Sequence, residues 1–353
     1  SGPPDWGTGP TGTGKLFRIR MTRPEVPRPV AVWAESSQEV RITFDRSLDP
    51  VALRDLAGRM RIEYGRYVRA GDRFENLAPP YAVVQRQSLE PRFELPVVGA
   101  SIMSDLRTVV INTAPMRADV RYAVILPDPA GAAAGDVESD RTHPQTEVDF
   151  ALRGIVAERH DVDGKLVWSG WLPHLDLEVS RGLLAESEYH RPLWDGLEQP
   201  GTLTLHTQVD LHDILRPAIQ PGSTLDYEWP DELATLVVSA GQPFEASSVE
   251  GVTIERLDRE GQGEVRLSAS SDRAGPAPLT LRLPTGEGEI AALTCAVATN
   301  EDSRPRPLPL RRFLLPWVDP TVTSSDGEAP ALVIAELDGG SWGRGRRVFR
   351  SEQ

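Results

Sequence analysis

Hydrophobic and polar residues alternate with a period of two along most of this chain, the signature of strands with one buried and one wetter face. In "EVRITF", Val40, Ile42 and Phe44 alternate with Glu39, Arg41 and Thr43. "KLFRIRM", "AVWAES", "RMRIEYG", "RTVVINT" and "VRYAVIL" read the same way, with a helical turn predicted in "PVALRDLAG" and a polar insertion over 66–94. Further on, "GIVAERH" and "KLVWSGWL" flank Asp163-Gly164, which predicts a hairpin turn rather than a calcium loop, because the remaining ligands of a twelve-residue loop are missing. "SEYHRPLWDGL" predicts a short helix capped by Ser187 with Leu193, Trp194 and Leu197 on its buried side, and "GTLTLHTQVDL" predicts a strand. Five more runs between 233 and 300 are separated by turn signals at short spacing. The fold class that follows is mainly β, tandem β-sandwich modules with few short helices.

Composition agrees with that pattern. The chain has 353 residues, enough for two or three domains, with 30 glycines and 31 prolines. Low-complexity stretches place linkers at 128–149 and 320–340 and divide the remainder into a lead-in (1–27) and modules at 28–127, 150–232 and 233–319, with 150–319 readable as one domain or two. No apolar run is long enough for a transmembrane helix. A net charge of −14, with the arginines scattered, argues against nucleic acid as a partner. Cys295 is the only cysteine, which excludes an internal disulfide and a Cys-based zinc site, and its apolar strand predicts a buried, inert thiol.

Candidate chemistry is sparse. The segment "GPTGTGKL" has Gly9, Gly14 and Lys15 at P-loop spacing, but Leu16 stands where a hydroxyl would hold magnesium. It also leads into a strand instead of opening a helix, so no nucleotide site is expected. His174 and Asp176 lie in "WLPHLDL", and His206, Asp210 and His212 in "HTQVDLH". On adjacent strands these five could converge on a metal ion; on a wet sheet face they are ordinary polar residues. There is no G-x-S-x-G elbow and no distinctive carboxylate pair, so no catalytic residue is assigned. Trp168, Trp171, Trp194 and Trp229 fall close together and could form either a sugar-stacking platform or a core.

Three segments resemble known families. Residues 28–127, through "EVRITFDRSLDPVAL" and "RTVVINTAPMRADVRYAVIL", resemble bacterial Ig-like domains of cell-surface proteins, a likeness that implies a spacer or adhesion platform. "DWGTGPTGTGKLFRIR" resembles the closing strand of a glucose/sorbosone dehydrogenase-like propeller. "GSWGRGRRVFRSEQ", the start of a helix over 341–353, resembles the first helix of a c-type cytochrome without its haem motif. Together these resemblances imply a segment of a larger bacterial periplasmic or extracellular redox protein. Its partners would be intramolecular propeller and cytochrome domains, with haem c only in a C-terminal continuation and no cofactor within 1–353. The expected role is a non-catalytic spacer and docking region. The alternatives are a surface module that binds polysaccharide and a metal-dependent hydrolase.

Overall fold

The computed structural model describes residues 26–51, 53–68, 90–127, 145–215, 232–257, 262–269, 275–286 and 292–319. The readings at 1–16 and 341–353, the strand at 15–21, the linker at 320–340 and Trp229 lie outside them. The described part is two β-sandwiches in series, every strand pair antiparallel.

The first sandwich contains β1 (Pro29–Ser36), β2 (Glu39–Phe44), α1 (Leu56–Arg59), β3 (Arg61–Gly65), β4 (Phe93–Leu95), β5 (Val97–Ile102), β6 (Thr108–Thr113), β7 (Arg121–Pro127) and β8 (Gln145–Phe150). One sheet runs β1-β2-β6-β5 and the other β4-β3-β7-β8. Val40, Ile42, Val109 and Ile111 from the first meet Ile62, Tyr122, Val124 and Phe150 from the second in one core. The alternation predicted for β2 holds: Val40, Ile42 and Phe44 are all buried. The end of the expected linker at 128–149 falls in a strand, and 128–144 lies outside the described residues. Residues 145–149 belong to β8, which pairs with β7 from Tyr122↔Phe150 to Pro127↔Gln145. A polar edge strand has few apolar residues, so composition alone does not separate it from a loop.

The second sandwich joins what the sequence divides at 232/233. Its strands are β9 (Ile155–Asp161), β10 (Leu166–Leu172), β11 (Gly201–Val209), β12 (Ala234–Ala240), β13 (Glu245–Ser248), β14 (Val252–Arg256), β15 (Gly263–Ala269), β16 (Ala277–Thr285), β17 (Leu293–Thr299), β18 (Arg306–Pro307) and β19 (Phe313–Leu314). Two helices, α2 (Leu177–Leu183) and α3 (Arg191–Leu197), follow β10. One sheet runs β10-β9-β11-β16-β13, and β19 pairs with the far end of β11. The other runs β14-β15-β12-β17-β18. The nine-residue ladder between β11 and β16, Gly201↔Thr285 to Val209↔Ala277, crosses the expected module boundary. Ile155, Leu172 and Leu203 therefore share one core with Leu236, Leu267 and Val297. The modules 150–232 and 233–319 are a single sandwich, because neither half alone has a second sheet to cover its apolar face.

Only residues 151–154 connect β8 to β9. The bend falls at Gly154, whose φ of +123° and whose surroundings exclude a side chain: a Cβ would sit 2.0 Å from the Trp171 Nε1 atom. Among the described residues no helix is long and apolar enough to cross a membrane.

Candidate functional site at the junction of the two sandwiches

The five residues considered as metal ligands do not converge. β9 lies between β10 and β11, so the two expected strands are not neighbours. His174 is buried, with Nε2 2.8 Å from the Leu308 carbonyl and Nδ1 accepting the Asp176 N–H at 2.9 Å. Burial lowers its pKa, and both ring nitrogens are engaged. The Asp176 carboxylate caps α2 by accepting the Glu178 and Val179 N–H groups. His206 stands on the outer face of β11 beside Thr280, 3.0 Å from its hydroxyl. Asp210 accepts from Arg312 at 3.2 Å and from the His212 N–H at 3.1 Å. No group of three or more His, Cys, Asp or Glu side chains among the described residues could hold a metal ion.

The tryptophans do not form an exposed platform either. Trp168 and Trp194 are buried in the second core, and Trp171 is half-buried between the two cores. Cys295 is buried, and desolvation pushes its thiol pKa up, which leaves a poor nucleophile. Asp163-Gly164 forms the β9–β10 turn, where the Asp161 carboxylate accepts the Asp163 and Lys165 N–H groups. Ser187 precedes a 3-10 turn but makes no capping bond to it; its hydroxyl goes to His190 instead.

What the fold builds is a junction. In β1, Val32 and Ala34 point into the first core, so Ala31 and Trp33 point out of it, toward the second sandwich. Trp33 is 1% exposed. Its ring stacks on Trp171 at 5.7 Å, with Tyr189 at 5.2 Å and the edge of His190 at 5.4 Å. Arg41 of β2 donates to the Tyr189 hydroxyl at 2.6 Å and lies over its ring. Burial, with the nearby Glu35 charge, pushes the Tyr189 pKa up to about 12, so the phenol stays protonated and accepts from Arg41. Arg107 pairs with Glu188 at 3.2 Å, and Arg28 approaches Glu186 at 4.0 Å. Basic groups of the first sandwich thus face acidic groups of the second.

The tail fastens the other side. Phe313 enters the second core while Leu314, Leu315 and Val318 enter the first. The Gln208 amide, buried on β11, donates to the carbonyls of Leu315, Pro316 and Val318. The Thr207 hydroxyl lies 3.0 Å from the Gly154 carbonyl and 2.9 Å from that of Leu314. Residues 313–318 strap the two bodies together.

Among the described residues, Ser187 and His190 form a hydroxyl–imidazole pair at the junction that invites a catalytic reading. The Ser187 Oγ lies 2.7 Å from His190 Nδ1, and Nε2 is 2.8 Å from the Trp171 carbonyl. A carbonyl only accepts, so Nε2 carries the proton and Nδ1 accepts from the serine. Both residues are buried, and burial lowers the His190 pKa to about 4. At neutral pH this imidazole is a weak base with no access to solvent, and the pair braces the 187–190 turn against β10.

That lowered value sets a pH dependence. In the unfolded chain a histidine takes up a proton near pH 6.5. Between there and about 4 the unfolded state binds more protons than the folded one, so stability rises with pH. Urea unfolding is expected to lose about 3 kcal/mol as pH falls from 7 to 4 through this group. In His190→Gln that part of the slope disappears; an unchanged slope would show that His190 does not supply it.

Sequence reasoning passed over Trp33, Arg41, His190 and Gln208. One signal was present: Trp33 is a large aromatic out of phase with Val32 and Ala34, on the face of a strand that should be wetter. It predicts a second buried surface, but not what covers it.

No protein-family model matches the chain, and no curated protein matches it. Among solved structures it is similar to an anti-sigma factor domain-containing protein, 11% identical over 85% of this chain and 94% of that one, with a TM-score of 0.28. It is also similar to surface layer protein SbsC, domains 1-6, 10% identical over 79% of this chain and 33% of that one, with a TM-score of 0.23. Scores this low carry no argument about fold or function. The chain is therefore placed by its own geometry, as two antiparallel β-sandwiches locked at an aromatic junction.

Proposed function

We propose that the chain is a non-catalytic spacer that holds flanking domains at a fixed separation. The observation that supports this reading is the junction: a four-residue connection, a buried Trp33 stack and a strap shared by both cores. Two sandwiches on a flexible linker would reorient freely, whereas buried aromatic stacking opposes relative motion. In the wider setting the resemblances imply, the spacer lies between a dehydrogenase-like propeller and a c-type cytochrome in a bacterial periplasmic or extracellular protein. Absence of a Cys-x-x-Cys-His motif in the coding sequence shortly after Gln353 would overturn that setting without touching the spacer role.

The spacer role is tested by distance measurement. Val98 and Val249 are exposed on different sandwiches, and the buried Cys295 will not compete for label. Spin labels on Val98→Cys and Val249→Cys are expected to give one narrow distance distribution by double electron–electron resonance. A broad distribution overturns the role.

A further inference from the structure

The outer face of the sheet containing β9, β11 and β16 is divided in two. At one end Val156 and Trp171 pack against the first core and are covered. At the other end the face is open, and the β9–β10 hairpin overhangs it to form a groove of about 430 Å³. Its lining includes His160, Asp161, Val162, Thr202, Thr204 and Arg282. Register places these groups in rows: His160 beside Thr202, and Glu158, Thr204, Arg282 and Glu245 across four adjacent strands.

Three properties of the groove bear on what it would take. First, the side chains of His160, Thr202, Thr204 and Arg282 have no hydrogen-bond or ion partner among the described residues. Neither do the carboxylates of Glu158 and Glu245, although Glu245 lies directly opposite Arg282. Several arginines outside the groove are engaged: Arg28, Arg41, Arg107 and Arg266 each hold a carboxylate. A second groove of about 390 Å³, beside Arg28 and Glu186, has its guanidinium bound to Asp45. Second, the charges are mixed. Arg282 is set among Glu158, Asp161 and Glu245, and the whole chain carries −14, so a polyanion gains nothing here. Third, Val162 is 72% exposed at the groove wall and supplies an apolar surface next to the polar rows.

From these observations we infer that the groove binds a neutral, hydroxyl-rich saccharide chain. A sugar hydroxyl donates one hydrogen bond and accepts others, so it matches a row that alternates carboxylate, hydroxyl and guanidinium. Its C–H faces match Val162. The open sheet face admits a linear chain rather than enclosing a small molecule. This site is distinct from Trp168, Trp171 and Trp194, whose burial withdraws them from any ligand, and it does not depend on the spacer role.

The test is affinity electrophoresis of the full chain through gels containing hydroxyethylcellulose, galactomannan or dextran, with polygalacturonate as the charged comparison. Retardation is expected with at least one neutral polymer. The double substitution Thr204→Val and Arg282→Ala removes both donors and is expected to weaken it about tenfold, the effect of losing two modest hydrogen bonds. The thermal midpoint should be unchanged, because both side chains point to solvent. No retardation by any neutral polymer, retardation by polygalacturonate alone, or retardation that survives the double substitution overturns the inference.

Discussion

Trp33→Ala is expected to destabilise the protein by about 3–5 kcal/mol and to split its unfolding into two steps. Trp33 belongs to the first sandwich by its strand and to the second by its contacts. Its removal opens a cavity against Trp171, Tyr189 and His190 while leaving Val32 and Ala34 in place. The first sandwich keeps its own core, so the loss falls on the coupling between bodies. Two transitions in a urea titration, followed by fluorescence and by circular dichroism, would report that loss. Trp33→Phe retains a stacking ring and should recover much of the difference. A single transition at the original midpoint in the alanine variant would show that the stack does not join the sandwiches.

The second large effect is expected at Arg159, which is 2% exposed and has no carboxylate partner among the described residues. Its guanidinium donates instead to four carbonyls: Gly196 at 3.0 Å, His160 at 2.5 Å, Gln199 at 2.8 Å and Pro200 at 3.1 Å. Gly196 and Gln199 lie at the C-terminal end of α3, where the helix carries partial negative charge; the Gly196 carbonyl also accepts the Gln199 N–H and the Gln199 carbonyl the Thr285 hydroxyl. The approach is close enough that Gly201 has no room for a side chain; a Cβ there would lie 2.2 Å from the His160 carbonyl. Arg159→Met keeps the apolar stem and removes the guanidinium's hydrogen bonds to all four carbonyls, of which Gly196 and Gln199 retain other donors, for an expected loss of about 3–5 kcal/mol. Arg159→Lys keeps the charge but lacks the planar fork, and should recover only part of it. Arg61→Met, half exposed on β3, is the control and should change stability by no more than about 0.5 kcal/mol. Equal effects at the two positions would refute the clamp.

Strand existence was legible wherever one face is buried. The alternation in Val40, Ile42 and Phe44, or in Leu203, Leu205 and Val209, follows from the two-residue period of the extended backbone. Asp163-Gly164 announced its hairpin for an equally local reason. α2 was less visible, being only seven residues long, although Asp176 and Glu178 carry a cap signal. Of the residues weighed as sites, His206 occupies the wet face that alternation predicts. His174 is buried because Leu308, far along the chain, supplies its partner.

The sequence by itself determined the mainly β class, the inward faces of most strands and the inert setting of Cys295. These follow from covalent geometry and from the cost of exposing apolar side chains, both local properties. Only the tertiary structure decided that 150–319 is one sandwich, that β8 belongs to the first, and that Trp33 is buried. Each depends on a segment distant in sequence: β16 for β11, β7 for β8, and Trp171 with Tyr189 for Trp33. The entropy of closing a loop grows only slowly with its length, so distance along a chain says little about which strands pair. Alternation records that a face is covered, and the fold chooses the cover.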